Sequence, residues 1–500
     1  MYRSASAALT LCLLAAIASP AQTFSTLYRF GGPTSGSVPS ALSQANDGLL
    51  WGTTAAGGTY GHGTVFKMVP GGGTFTSLYS FCPQSGCADG EAPGGGAFEA
   101  SDGHLYGTTS AGGAYGQGTV FQIATFGTLI TVHSFNSTDG SAPEGALIQG
   151  SDGDLYGTTS GGGANASCGG GLGCGTVFKI TTTGTLTTLY NFCSQANCAD
   201  GAEPEGGLIQ DVNGNLYGTT LAGGSNNSCI SGSYTGCGTA FEITAGGAFK
   251  QLYSFCAKSG CTDGASPTSG LVQGRNGNLY GTTSAGGANA CTGTGCGTAF
   301  SLTSAGKLTT LYSFCAKSGC TDGEFPSAPL VVGSDGNLYG TTSGGGSRGD
   351  YGTAFKMTST GTLSTLYSFC AFTNCADGED VTTALWQDTS GVFYGTTGAG
   401  GSLTGCEPLG CGTLFELNTG LKGFVDAVPP FGPVGTGIRI LGNGMTGATS
   451  VTFNGVSASF TVVSSAYIKT SVPAGATTGK IQVVTPKGTI SSSVPFTVTP

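Results

Sequence analysis

The segment Leu105-Tyr106-Gly107-Thr108-Thr109 decides the fold, because it recurs along most of the chain. Identical copies start at Leu155, Leu216, Leu279 and Leu338, and variant copies occupy residues 50–54 and 393–397. The seven copies follow one another at intervals of 50 to 63 residues. A period of this size is typical of propellers and other repeat arrays.

Each repeat is predicted to fold as four short strands, A to D. In the third repeat these are residues 146–149, 155–159, 175–180 and 185–192. Asp-Gly or Asn-Gly pairs such as Asp152-Gly153 separate strands A and B, where Gly takes the positive φ of a tight hairpin. Tight turns make neighbouring strands antiparallel, so each repeat is a meander.

Seven meanders predict an all-β fold with a seven-bladed β-propeller of four-stranded antiparallel blades over residues 24–425. Residues 24–30 match strand D without an A, B or C strand before them. The seventh repeat has strands A, B and C but only a degenerate fourth segment, residues 421–425. We therefore expect the N-terminal strand to complete the last blade.

The three submotifs of the repeat, Leu-Tyr-Gly-Thr-Thr, Gly-Thr-Val-Phe-Lys and Leu-Tyr-Ser-Phe, resemble the GloVer-type (Gloeo/Verruco) tandem repeat of secreted bacterial proteins. This resemblance implies export and often a surface-associated role, without a particular chemistry. Residues 426–500 lose Cys, gain Val, Thr and Ser, and resemble an IPT/TIG domain. That resemblance implies a small immunoglobulin-like β-sandwich, usually a spacer or binding module.

Composition excludes several classes of protein. Gly contributes 94 of the 500 residues, and Gly costs about 1 kcal/mol inside a helix, which argues against long helices. The formal net charge is −10, and Lys and Arg never form the basic stripe that a nucleic-acid binder needs. Apolar residues make up 38%, enough for a packed core.

The first 21 residues are typical of an export signal. Arg3 precedes an apolar run over residues 7–17, and Ser19-Pro20-Ala21 offers small residues for cleavage. This run is too short to span a bilayer comfortably, and we expect no transmembrane segment in the mature chain. The expected location is secreted, extracellular or at the cell surface.

Eighteen of the 19 cysteines fall into nine close pairs, and the loops at residues 31–39 and 136–143 lack both members of a pair. This all-or-none pattern favours disulfides and an oxidising compartment over zinc, since only three His are available. The predicted pairs are Cys82/Cys87, Cys168/Cys174, Cys193/Cys198, Cys229/Cys237, Cys256/Cys261, Cys291/Cys296, Cys315/Cys320, Cys370/Cys375 and Cys406/Cys411.

The meander places all B–C and D–A loops on one face of the propeller, together with every predicted disulfide. We call this the disulfide face, and the opposite face, formed by A–B and C–D turns, the tight-turn face. Stiff, variable loops on a rigid scaffold commonly carry binding function. The candidate ligand contacts in the B–C loops are Tyr60, Tyr115, Tyr234 and Tyr351.

Most D–A loops contain an Asp-Gly pair, and some have a further acid nearby, such as Glu91, Glu144, Glu203, Glu324 or Glu379. Two interpretations stay open: carboxylates that bind calcium, or turns in which Asp bonds its own backbone. We favour the turn, because the motif recurs in most repeats. The aspartates are Asp89, Asp139, Asp200, Asp263, Asp322 and Asp377.

Motifs for catalysis are absent from the sequence. His62, His104 and His133 occupy different positions of the repeat, and no nucleophile elbow, zinc-protease or phosphate-loop motif occurs. A glycosidase needs only two carboxylates, which could line the central channel. The acids that depart from the repeat pattern, as candidates for this role, are Glu99, Asp350, Glu379 and Asp380.

The sequence favours a secreted or cell-surface-associated, non-catalytic binding or adhesion protein that presents stiffened loops to a glycan or an extracellular protein. The alternatives are a secreted propeller enzyme that acts on polysaccharide with channel carboxylates, and a structural component of the envelope. No cofactor is expected apart from the calcium considered above.

Overall fold

The computed structural model describes residues 22–165, 168, 173–226, 228–231, 234–291, 295–401, 406 and 410–499, with only the backbone described at residues 230, 231 and 234. The expected export signal, residues 1–21, lies outside the described residues. The predicted fold class is confirmed: seven four-stranded antiparallel sheets are followed by a β-sandwich. No described helix is long and apolar enough to cross a membrane.

In blades 1 to 6 the strands follow the order A-B-C-D. Blade 1 contains Ser37–Gln44, Leu50–Ala56, Thr64–Met68 and Phe75–Ser80. Blade 2 contains Glu91–Glu99, Leu105–Ala111, Thr119–Ile123 and Leu129–Ser134. Blade 3 contains Ile148–Gln149, Leu155–Thr159, Thr176–Ile180 and Leu186–Asn191.

Blade 4 contains Ile209–Gln210, Leu216–Thr220, Thr239–Ile243 and Phe249–Ser254. Blade 5 contains Val272–Gln273, Leu279–Thr283, Thr298–Leu302 and Leu308–Ser313. Blade 6 contains Val331–Val332, Leu338–Thr342, Thr353–Met357 and Leu363–Ser368. From blade 3 onward strand A is shorter than the sequence predicts, since only two residues form the ladder.

Blade 7 takes Trp386–Gln387, Phe393–Thr397 and Thr413–Asn418 from its own repeat, and its fourth strand is Thr23–Arg29 from the start of the chain. This strand runs antiparallel to Thr413–Asn418, with Phe24 opposite Leu417. The ring is thus closed by two distant parts of the chain.

Short elements lie in the loops. A four-residue helix, Gly32–Ser35, precedes blade 1, and a small hairpin of Ile230–Ser231 and Tyr234–Thr235 lies in the B–C loop of blade 4. Four D–A loops contain a single turn of 3-10 helix: Ala196–Cys198, Ser259–Cys261, Ser318–Cys320 and Thr373–Cys375.

The hydrophobic core of the propeller lies between blades. Seven buried clusters each join two neighbouring blades. Tyr106 of blade 2 packs with Phe178 of blade 3, and Leu414 of blade 7 packs with Leu50 of blade 1, so the seventh cluster closes the ring. Gly107 leaves room for the ring of Phe121 on the next strand, which packs in the cluster between blades 1 and 2, since a Cβ at Gly107 would lie 2.5 Å from that ring.

The sandwich consists of two four-stranded sheets and one parallel pair of strands. In spatial order, the first sheet contains Asp426–Val428, Gly437–Leu441, Tyr467–Ser471 and Phe460–Val462. The second contains Val456–Ser457, Ser450–Phe453, Ile481–Thr485 and Gly488–Ser491, and the parallel pair is Phe431–Gly432 with Thr497–Val498.

The sandwich lies against the tight-turn face of the propeller. Arg439 of the first sheet donates hydrogen bonds to the backbone oxygens of Ala100, at 3.2 Å, and Glu99, at 3.1 Å, beside the A–B turn of blade 2. Because the sandwich packs on this side, it leaves the disulfide face of the propeller uncovered.

Candidate functional site

All nine predicted disulfides are present, which confirms the cysteine pairing. Five of them close D–A loops and four close B–C loops, so disulfides stiffen both kinds of loop on the disulfide face. The two kinds also meet: Cys168 Sγ of a B–C loop lies 3.7 Å from Cys198 Sγ of the adjacent D–A loop. These sulfur clusters are bonded as disulfides, so their thiolates are not free to bind zinc.

The two cysteines of each B–C pair differ in depth. In the structure the second cysteine of each B–C pair is fully buried, at 0% exposure, and belongs to a core cluster between blades: Cys174, Cys237, Cys296 and Cys411. The physical reason is position, since each of these residues lies two residues before the first residue of strand C. Cys168 and Cys375 are also nearly buried, at 4% and 9%.

The backbone of these buried cysteines links neighbouring blades as well. The Cys296 carbonyl accepts a hydrogen bond from the Phe325 amide at 3.0 Å, and the Cys411 carbonyl accepts one from the Val38 amide at 3.0 Å. Each B–C disulfide therefore ties a loop of the disulfide face to the packed core, and its second sulfur is not part of a ligand-accessible surface.

The aspartates of the D–A loops hold their own loops in shape. Asp263 accepts hydrogen bonds from the hydroxyl of Tyr253, at 2.6 Å, and from the backbone amides of Ala257 and Lys258, at 2.9 and 3.1 Å. Asp200, Asp322 and Asp377 make the same contacts, and these four aspartates are fully buried. This arrangement has the geometry of the turn interpretation.

The other two aspartates serve loops of different composition. Asp89 accepts from the Tyr79 hydroxyl at 2.9 Å and from the Cys82 amide at 3.1 Å. Asp139 lies 3.0 Å from the His133 ring and accepts from the Asn136 amide at 2.9 Å. The histidine therefore takes the place that tyrosine holds in the other repeats.

The candidate tyrosines lie on separate blades. Tyr60, Tyr115 and Tyr351 belong to the B–C loops of blades 1, 2 and 6, with exposed fractions of 49%, 63% and 36%. The backbone of Tyr234 belongs to the small hairpin of blade 4. The structure therefore does not gather the three tyrosines whose side chains are described into one site.

A cleft of about 930 Å³ opens on the disulfide face between the loops of blades 4, 5 and 6. Its wall includes Leu221, Phe325 and a run of small residues from the B–C loop of blade 5. Disulfides hold these walls, since Cys229, Cys261 and Cys291 all line the cleft. The cleft is thus a rigid, largely uncharged recess.

The cleft continues into the central channel, a cavity of about 330 Å³ to which all seven blades contribute. Glu205 and Thr268 line both spaces and so mark their junction. One equivalent residue of each repeat lines the channel. It directly follows a proline that six repeats share, or Val381 in the seventh: Ser40, Gly94, Glu144, Glu205, Thr268, Ser327 and Thr382.

Glu144 and Glu205 are the only ionisable side chains among the described residues that line the channel. Burial raises the pKa of both carboxyls. The pKa of Glu205 reaches about 7, because the negative charges of Glu144 and Glu203 add to the effect of burial. One of the two channel carboxyls therefore holds a proton near neutral pH, while its neighbour can be ionised.

None of the four acids that depart from the repeat pattern lines the channel. Glu99 lies apart from the other three, which belong to neighbouring loops joined by a hydrogen bond from the Asp380 amide to the Tyr351 carbonyl at 3.3 Å. Glu99 lies at the sandwich interface, where its carboxylate accepts from the Asn46 amide at 2.6 Å. The Asp350 carboxylate accepts a hydrogen bond from the Gly345 amide at 2.7 Å. Burial of Glu324, together with its contact with Asp350, raises the pKa of Glu324 to about 7. Burial also raises the pKa of Glu379 and Asp380 in the D–A loop before blade 7.

The histidines are likewise dispersed. His62 Nδ1 lies 2.7 Å from Glu91 on the disulfide face, and His104 Nδ1 lies 3.5 Å from Asp102 on the tight-turn face. His133 supports its own D–A loop through Asp139, as described above. The three histidines thus form no shared site.

Sequence reasoning overlooked Glu205. The signal was available, because alignment of the repeats on their prolines places Glu144 and Glu205 at one position where the other repeats have Ser, Gly or Thr. The role of that position as the channel lining depends on the radial arrangement of the blades, which the repeat unit alone does not show.

A family model described as the Gloeobacter/Verrucomicrobia repeat matches residues 14–231 and 228–459. A model of the IPT/TIG domain matches residues 424–498. A search of curated protein sequences finds no match.

Among solved structures, the chain is similar to the extracellular domain of the hybrid two-component system BT4673 from B. thetaiotaomicron, with 10% identity and a TM-score of 0.49. The match covers 93% of this chain and 46% of that one, so the chain spans less than half of it. A fungal AA5-family alcohol oxidase in complex with copper shares 13% identity over 95% of this chain and 99% of that chain, with a TM-score of 0.49. A luciferin-regenerating enzyme shares 12% identity over 81% and 98%, with a TM-score of 0.42.

Proposed function

The chain belongs to the Gloeobacter/Verrucomicrobia repeat family, and we propose that it is a secreted or cell-surface-associated, non-catalytic protein that binds a glycan in the cleft of its disulfide face. The cleft of about 930 Å³ carries this proposal. Cavities of roughly 300–1,000 Å³ are typical of small-ligand sites. The location outside the cell rests on the predicted export signal and the nine disulfides.

The chemistry of the cleft suits a neutral carbohydrate better than a charged peptide. Glu205 is the only titratable group among the described residues that line the cleft, since its cysteines are disulfide-bonded. Phe325 and Leu221 offer apolar surface to the C–H face of a sugar ring. Glu205 lies at the inner end, where a carboxyl can accept or donate a hydrogen bond to a hydroxyl.

Rigidity supports the same proposal. The walls that would contact the ligand are cross-linked, so little conformational entropy is lost on binding. Tyr60, Tyr115 and Tyr351 lie on other blades of the same face and are proposed as secondary contacts for a long polymer.

Binding to a panel of immobilised polysaccharides, with the full exported chain and the variant Ala290→Trp, tests this function. Ala290 is exposed and lines the cleft, so the indole should fill the cleft and weaken binding at least tenfold. The matched control is Thr183→Trp, in an exposed C–D turn of the opposite face, which should bind like the parent. Equal binding by both variants, or no binding by the parent, would contradict the proposal.

The channel carboxylates favour one second candidate, a glycan hydrolase. Glu205 could protonate a glycosidic oxygen while Glu144 accepts a proton from the attacking water, which is the division of labour that glycoside hydrolysis requires. Release of new reducing ends by the parent, and its loss in Glu205→Gln, would support the enzyme. If the parent protein retains the polysaccharide without cleaving it, the result contradicts the hydrolase and supports the binding function.

A further inference from the structure

A second cavity, of about 650 Å³, lies between the sandwich and the tight-turn face of blades 3 and 4. Its propeller side includes Ile148 and Ile209 at the inner strands, and its sandwich side includes Phe431, Arg439 and Lys469. Ligand sites occur preferentially at domain interfaces of this kind. This cavity is separate from the cleft of the proposed function.

The charge of this cavity is unusual for the molecule. Its described lining residues include two cations, Arg439 and Lys469, and no acid, although the chain carries a net charge of −10. The two cations face each other across paired strands, because Arg439 and Lys469 are register partners. Like charges directly opposite on a sheet repel each other, and a bound anion would relieve that repulsion.

The guanidinium of Arg439 is only partly neutralised. Its side chain is 13% exposed, and the nearest carboxylate oxygen, of Glu99, lies 3.9 Å away, beyond hydrogen-bond distance. Its Nη atoms donate to Asn46, Glu99 and Ala100, whereas its Nε has no hydrogen-bond acceptor among the described residues. Burial lowers the pKa of Arg439 despite the opposing charge of Glu99, as expected for a cation that lacks a full partner.

Lys469 is more available still. It is exposed, and its ammonium makes no hydrogen bond or ion pair with any residue that the structure describes. The side-chain amides of Gln149 and Gln210 are less available to a ligand, because both are already hydrogen-bonded to the backbone. The partners are Ser101 and Gly153 for Gln149, and Ser151 and Gly214 for Gln210. The charged groups left in the cavity are therefore both cationic, beside the hydroxyl groups of Tyr467, Ser151 and Thr436.

We propose that this interdomain cavity binds an organic carboxylate with an apolar body, whose carboxylate lies between Arg439 and Lys469 and whose body packs against Ile148, Ile209 and Phe431. The ligand bridges the propeller and the sandwich, because its binding groups come from both.

The test is isothermal titration calorimetry of the full chain with 4-phenylbutyrate, its neutral amide 4-phenylbutyramide, and sodium sulfate. The carboxylate should bind, and the amide should bind at least tenfold more weakly. Lys469→Gln should weaken phenylbutyrate binding at least tenfold. Lys487→Gln, which removes an exposed lysine of the sandwich outside this cavity, should change the affinity less than twofold.

Three results would overturn the assignment. These are no binding of phenylbutyrate at millimolar concentration, equal loss of affinity in the two lysine variants, and binding of sulfate as tight as that of phenylbutyrate. A melting curve of each variant verifies that the loss of affinity does not come from unfolding. A negative result for this cavity would not contradict the proposal that the cleft binds a glycan, since none of the residues that line the cleft lines this cavity.

Discussion

A single position of the repeat gives the channel its chemistry. Five repeats place an uncharged small residue there, and two neighbouring repeats place Glu144 and Glu205. The segments that lead into the inner strands of these two blades approach closely, since a Cβ on Gly145 would lie 3.0 Å from the carbonyl carbon of Gly206. Burial disfavours the charged form of Glu205 most strongly, and the neighbouring charge of Glu144 raises its pKa further.

The substitution Glu205→Gln should change the pH dependence of stability. The pKa of Glu205 rises from 4.5 to about 7 on folding, so the folded protein holds this proton over a pH range in which the unfolded chain has lost it. The parent therefore loses stability as pH rises from about 4.5 to about 7. Removing the charge should raise the Tm by about 2 °C at pH 8 and leave it unchanged at pH 4.

Scanning calorimetry at a series of pH values measures this effect, with Glu416→Gln in the outward part of blade 7 as the control. A Tm difference for Glu205→Gln that is the same at pH 4 and pH 8 would show that the channel does not perturb this carboxyl.

At the scale of the element, the D–A loop is a module made of a disulfide, a buried aspartate and a tyrosine from strand D. The sequence predicted the disulfides, because their cysteines are close in the chain and present or absent together. It did not predict that B–C and D–A disulfides abut, as at Cys168 and Cys198, since that contact joins loops 30 residues apart. Nor did it predict the burial of Cys296 and Cys411, which depends on the packing of one blade against the next.

Replacing Cys256 and Cys261 by Ser should lower stability by about 2 kcal/mol, the chain-entropy value for so short a loop. The same change at Cys82 and Cys87, whose separation in the chain is identical, should cost a similar amount. Only the first pair borders the cleft, so only its loss should weaken glycan binding, by about tenfold.

Denaturant unfolding and the polysaccharide assay together measure both effects. Equal loss of binding in the two double variants would mean that the cleft of blades 4 to 6 is not the recognition site.

At the scale of the whole molecule, the ring depends on a strand borrowed from the start of the chain. Phe24 stacks on Tyr367 of blade 6, with ring centroids 3.7 Å apart, and also packs against Phe415 of blade 7. The sequence predicted this closure, because strand D occurs there without the rest of a blade. The sequence did not predict the docking of the sandwich, which depends on Arg439 reaching two backbone oxygens of blade 2.

Phe24→Ala should loosen the ring, whereas Phe249→Ala serves as its matched control. Phe249 occupies the same position of strand D in blade 4 and stacks on Tyr190 of blade 3 at 4.1 Å, away from the closing strand. Both changes should cost about 2 kcal/mol, less than for a fully buried ring. Only Phe24→Ala should speed limited proteolysis within residues 22–30, because that strand has no tight turn to hold it in its blade.

Equal proteolysis at residues 22–30 in the two variants would mean that Phe24 does not hold the closing strand. The assay therefore separates loss of global stability from opening of the ring.

The proposed function depends on recognition by the disulfide face. Hydrogen–deuterium exchange of the full chain, with and without the polysaccharide that it retains, tests this most directly. We predict slower exchange in residues 256–266 and 284–291, which border the cleft, and unchanged exchange in the A–B turns. Protection confined to the A–B and C–D turns, with no change around the cleft, would contradict it.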